Sequence, residues 1–145
     1  MRYLLAVAAF LGGCAVVEQR APVSESVPSS VPAPAAISAN LAVASLVDSA
    51  RADIAAGRLT HAAASLERAL RIEPRNPRLW QELARVRLRQ GDYAQAESVA
   101  ARSNSWAGQD SRLRAENWRL IAQAREARGD AAGARAALEA ADRYR

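Results

Sequence analysis

The residues that could do chemistry in this chain are few. Its 145 residues include one Cys, Cys14, and one His, His61. Any Cys-His or Ser-His-Asp arrangement would have to run through His61. That residue stands in an Ala-rich stretch, Thr60-His61-Ala62-Ala63-Ala64, with no glycine-rich elbow beside it. It reads as a helix-surface histidine. A single Cys closes no disulfide within the chain, and no Cys/His cluster has metal-ligand spacing. The expectation is therefore no catalytic residues, no metal, no cofactor and no enzyme. What remains is arginine. All 20 basic residues are Arg, set against 15 acidic ones, for a formal charge of +5. Arginine holds carboxylates through two parallel hydrogen bonds, which suits recognition of acidic groups. The Arg residues are spread along the chain and form no basic run, so nucleic acid is not expected as a partner.

The Cys has a telling position. Met1-Arg2 gives a short positive start, and Tyr3 to Leu11 forms an apolar run. That run is too short for a bilayer, which needs ~20 apolar residues, but it suits a secretory signal. Leu11-Gly12-Gly13-Cys14 closes it and resembles the bacterial lipobox. The resemblance implies a signal peptide over residues 1–13, cleavage before Cys14 and a covalent lipid on its thiol. Two or more acyl chains, each methylene contributing ~0.8 kcal/mol, anchor stably. Ala15 stands where Asp favours inner-membrane retention. The resemblance thus implies the outer membrane, with the body of the protein on its periplasmic face and the membrane touched through the lipid alone.

Residues 14–40 hold Pro22, Pro28, Pro32 and Pro34 among five serines, with few large apolar residues. Such a segment cannot bury a core and reads as a disordered tether. At ~3.1 Å per residue it reaches ~80 Å at most.

Residues 41–145 change to Ala, Leu, Arg and Glu, which favour helix. Three stretches align on a glycine: Gly57-Arg58-Leu59, Gly91-Asp92-Tyr93 and Gly129-Asp130-Ala131. The glycines lie 34 and then 38 residues apart, and 34 is a known helical-hairpin period. The four extra residues are expected in the connection between Ser103 and Ser111. Each glycine can close one helix, and Asp92 and Asp130 can cap the next. Before each glycine, Trp80/Leu83/Ala84, Trp118/Ile121/Ala122 and the weaker Leu46/Ser49/Ala50 share one helix face. After it, Ala62/Leu66/Ala69, Ala96/Ala100/Ser103 and Ala134/Leu138/Ala141 present small residues for close helix contact. Asn76-Pro77 reads as an N-cap followed by a first helical residue.

These residues resemble the tetratricopeptide repeat. The fold implied is all-α: a short solenoid of about three helical hairpins. The aromatic that the family usually carries at its eleventh position is replaced by Asp53, Arg87 and Arg125, and no extra capping helix is expected after Tyr144. In this family the first helices line a concave groove. The residues carried over to it are Arg51, Arg78, Gln81, Arg85, Arg119 and Gln123, with Val47, Ile54, Leu88 and Glu126 nearby. Arg51, Arg85 and Arg119 would then form a cationic strip for an acidic peptide or a C-terminus. The plainer alternative is a solvated face in which these arginines hold local Glu partners. Trp106, in a loop-like stretch, is an expected interface anchor, or else folds back over a hairpin junction.

Within the wider family, Arg71 to Pro77, Gln90 to Glu97 and Ser103-Asn104-Ser105 look most like the LpoP-type activators of bifunctional penicillin-binding proteins. That resemblance implies a protein partner, a peptidoglycan synthase, stimulated from the outer membrane. The alternative is a pilotin-like or pilus/secretion assembly lipoprotein.

Overall fold

The computed structural model describes residues 34–144, with side chains from Asn40 onward. The expected signal peptide over 1–13, the expected lipidation site Cys14 and nearly all of the expected tether lie outside the described residues. Six helices follow one another: α1 Pro34–Ala55, α2 Leu59–Ile72, α3 Pro77–Arg89, α4 Tyr93–Trp106, α5 Ser111–Ala127 and α6 Ala131–Asp142. Each packs on the next in sequence, and α3 also touches α5. This is three helical hairpins stacked side by side. None of the described helices is long and apolar enough to cross a membrane.

The three glycines close α1, α3 and α5 in the same way. Gly57, Gly91 and Gly129 have φ of 74°, 79° and 83°, a left-handed turn that glycine adopts at no steric cost. The residue after each donates its N–H back across the turn, Arg58 to Asp53 O (2.8 Å), Asp92 to Arg87 O (3.0 Å) and Asp130 to Arg125 O (2.9 Å). The helix starts are less uniform. Asn76 accepts from the N–H groups of Arg78 and Leu79 at 3.0 and 3.4 Å. Asp130 accepts from Gly133 N–H at 2.8 Å. Asp92, expected to cap α4, makes no side-chain cap bond; that turn closes through Ala96 N–H to the Asp92 carbonyl at 2.9 Å.

The interior is built of alanine and leucine. Ala50, Ala62, Ala69, Ala84, Ala96 and Ala100 are essentially fully buried, which lets helix backbones approach closely. Leu66, Leu70, Leu79, Leu83, Val86 and Ile121 fill the space between them, each such side chain contributing ~1.5–3 kcal/mol. Trp80 and Trp118 pack against this core while only half-buried.

Besides the Asp92 cap, four expectations are corrected. Helix begins at Pro34, before the boundary at 41, because proline suits the first helical turn and Ala35-Ala36 extend it. The four extra residues are not in the connection. The turns between α2 and α3 and between α4 and α5 both span four residues, whereas α5 has 17 residues and α3 has 13. The insertion is about one added helical turn at the start of α5, capped by Asp110, which accepts from Leu113 N–H at 2.9 Å. Trp106 is the last residue of α4 and not a loop residue. Leu138, expected inside the third hairpin with Ala134 and Ala141, is 48% exposed.

Candidate functional site

The first helices α1, α3 and α5 lie on one side of the stack. Between them runs a groove of about 500 Å³. Ile54, Val86, Leu88 and Leu120 give it an apolar floor, and Glu82, Arg85, Arg89, Glu116, Arg119 and Gln123 form its rim. The spacing explains the placement: Arg85, Leu88 and Arg89 follow at i, i+3 and i+4 on α3, and Glu116, Arg119, Leu120 and Gln123 at i, i+3, i+4 and i+7 on α5.

Glu116 organises the polar end. Its Oε2 accepts from Gln81 Nε2 at 3.2 Å and Arg85 Nη2 at 3.1 Å, and its Oε1 accepts from Arg112 Nε at 3.2 Å. Gln81 is 4% exposed, so its amide is spent on holding α3 to α5. One step along the same seam, Arg78 Nη2 donates to Asp110 Oδ2 at 3.0 Å. Arg112 and Asp110 both belong to the added turn and its cap. The insertion therefore supplies a carboxylate, Asp110, that ties α3 to the start of α5, and a guanidinium, Arg112, that holds Glu116 from within α5.

The structure divides the expected groove residues. Arg78, Gln81 and Arg85 come together with Asp110 and Glu116. Arg119 and Gln123 line the adjoining groove. Arg51 stands apart: it is exposed, pairs with Asp48 on its own helix at 3.3 Å, and does not line the groove. The continuous cationic strip is thus broken, because two of its three arginines, Arg51 and Arg85, hold carboxylates. Arg89 and Arg119 line the groove with no ion-pair partner among the described residues. Glu116 and Arg89 went unnoticed in the sequence. Glu116 carried a signal, since it occupies the same register position on α5 as Arg78 on α3.

The arginines in place of the family's aromatic also have a role. Arg87 pairs with Glu67 of α2, and Arg125 pairs with Glu97 of α4 at 2.7 Å. Each reaches back to the second helix of the preceding hairpin.

Away from the groove, a polar relay crosses the stack. Asn117, fully buried, donates to Ser103 Oγ at 2.7 Å and Asn104 Oδ1 at 3.0 Å, and Ser103 Oγ donates to the Pro77 carbonyl at 2.7 Å. It ties α5, α4 and α3 in one register. Trp106, 39% exposed, sits under the Arg75 guanidinium, 5.3 Å from its ring centre. Trp80 donates to the Pro74 carbonyl at 2.8 Å and carries Arg102 at 5.1 Å. Such cation–π pairs contribute ~0.5–1 kcal/mol at exposed sites. Trp106 thus folds over the turn between α2 and α3 with part of its ring open to solvent.

Known proteins agree with this geometry. The tetratricopeptide-repeat family model matches residues 53–117. No curated protein sequence matches the chain. Among solved structures, the globular C-terminal domain of P. aeruginosa LpoP is similar at 51% identity with a TM-score of 0.67, over 69% of this chain and 94% of that one. Three hairpins, glycine-closed first helices and this degree of identity lead to one conclusion: the chain belongs to the LpoP family of tetratricopeptide-repeat proteins.

Proposed function

We propose that this protein is a lipid-anchored, periplasmic activator of a peptidoglycan synthase of the bifunctional penicillin-binding class, and that it engages the synthase through the groove between α3 and α5. The observation that carries the reading is the 51% identity across nearly the whole LpoP domain, joined to the LpoP-type resemblance of the sequence. The groove adds chemistry to it. An apolar floor beside two arginines without carboxylate partners among the described residues suits an amphipathic segment bearing Asp, Glu or a terminal carboxylate. The Leu11-Gly12-Gly13-Cys14 sequence supports attachment through Cys14 to the outer membrane.

The test is polymerisation of the lipid-linked precursor by the bifunctional synthase from the same bacterium, with and without the purified chain. Faster glycan polymerisation is expected, together with saturable binding. An unchanged rate and no binding would overturn the reading. For the anchor, Cys14→Ser is expected to abolish labelling by a fatty-acid analogue and to release the protein from membrane fractions; unchanged labelling would contradict it.

A further inference from the structure

The two ends of the solenoid are not alike, and the difference is visible at three equivalent positions. Nine residues after Gly57, Gly91 and Gly129 stand Leu66, Ala100 and Leu138. Leu66 is 1% exposed, Ala100 0% and Leu138 48%. The first two belong to hairpins on which another hairpin packs, α3 on α2 and α5 on α4. On the α5–α6 hairpin no such helix stands among the described residues. Instead a groove of about 430 Å³ remains, lined by Arg119, Ala122, Gln123, Ala127, Ala134 and Leu138, with Glu126 beside them.

The polar groups repeat as well. Ten and six residues before Gly91 are Gln81 and Arg85, and both donate to Glu116 of the incoming helix α5, at 3.2 and 3.1 Å. Ten and six residues before Gly129 are Arg119 and Gln123. The same amide–guanidinium pair recurs with its members exchanged. Arg119 has no ion-pair partner among the described residues.

We infer that the α5–α6 face is a second docking surface, adjoining the groove between α3 and α5 and sharing Arg119 and Gln123 with it, and that it takes one helix of a protein partner in the place a further first helix would occupy. The helix it fits carries an Asp or Glu that reaches Arg119 and Gln123, on a stripe of small and aliphatic residues that covers Leu138, Ala134 and Ala127. Continuity with the two seams inside the molecule fixes the shape, and Arg119, with no ion-pair partner among the described residues, calls for a carboxylate opposite its end of the groove, away from Glu126.

The probe is a peptide of the chain's own α5 sequence, residues 111–127, which already fits the equivalent seat between α3 and α4. A free helix of this length is marginal in water, so a covalent bridge joins its 119 and 123 positions. Fluorescence anisotropy with the full chain in detergent then reads binding. Saturable binding is expected, with loss on Leu138→Arg, whose exposed site leaves the helical content unchanged by circular dichroism and lies outside the lining of the other groove. Arg119→Glu is expected to weaken it about tenfold or more, and a peptide carrying Glu116→Arg to restore it. No saturable binding, or binding indifferent to Leu138→Arg, would overturn the inference. So would sedimentation of the free chain as a dimer that Leu138→Arg dissociates, because the occupant would then be a second copy. Neither result would bear on stimulation of a synthase through the α3–α5 groove, which Leu138 does not line.

Discussion

The seam between the first and second hairpins and the seam between the second and third solve one packing problem by different means. In the first, Leu66 and Leu70 of α2 are buried in one core with Leu79, Leu83 and Val86 of α3, and Arg87 with Glu67 adds a single ion pair across it. In the second, the positions of Leu66 and Leu70 become Ala100 and Asn104, and Ala69 becomes Ser103. There Asn117, Ser103 and the Pro77 carbonyl form a buried hydrogen-bonded chain, and the added turn of α5 brings Asp110 and Arg112 to the front. Apolar filling is non-directional and tolerates small slips. A buried polar relay is directional and fixes one arrangement. The second seam is also the one that shapes the groove, so its register sets where Arg85, Glu116 and Arg119 stand.

Single substitutions can break this contrast. Leu66→Ala is expected to cost ~2–5 kcal/mol, the range for a buried leucine that leaves a cavity, read by chemical denaturation. Trp80→Ala and Trp118→Ala should each cost less than the ~3–5 kcal/mol of a fully buried large aromatic, because both side chains are only half-buried. Asn117→Ala is expected to cost ~1–3 kcal/mol, since it strands the groups that it now satisfies. If Asn117→Ala were silent, the second seam would be held by apolar contact after all. The smallest effect is expected at Glu116→Gln. Its ion pairs are partly solvated, and such pairs contribute ~0.2–1 kcal/mol, so the melting temperature should barely move. The same change frees Arg85 and Arg112 and should tighten binding of an acidic partner; weaker binding would mean that Glu116 itself meets the partner.

Much of the fold was legible because local rules wrote it. Gly57, Gly91 and Gly129 announce helix ends through backbone sterics alone, and Asn76-Pro77 announces a start. Ala62, Leu66, Ala96 and Ala100 mark the faces by period. The site was less legible. The glycines align the ends of α3 and α5 but say nothing of where α5 begins, so in sequence the added turn looks like loop. The ion pairs of Arg78 and Arg85 join residues 32 and 31 apart in sequence, beyond any local pattern, so the sequence leaves open both a strip of free cations and arginines held by carboxylates. Leu138 was placed inside because its periodicity matches Leu66. Periodicity names the face of a helix, and only the neighbouring hairpin decides whether that face is covered.

The central claim, that the groove between α3 and α5 receives the synthase, is tested most directly by calorimetric titration of the synthase into two charge-reversed variants at low and moderate salt. Arg89→Glu changes an exposed groove residue that has no ion-pair partner among the described residues. Arg51→Glu changes an exposed arginine of similar chemistry outside the groove, held by Asp48. The account predicts weaker binding for Arg89→Glu, by about tenfold or more at low salt and less as screening rises, with an unchanged melting temperature and wild-type affinity for Arg51→Glu. Equal affinity for both variants and the wild type would contradict it.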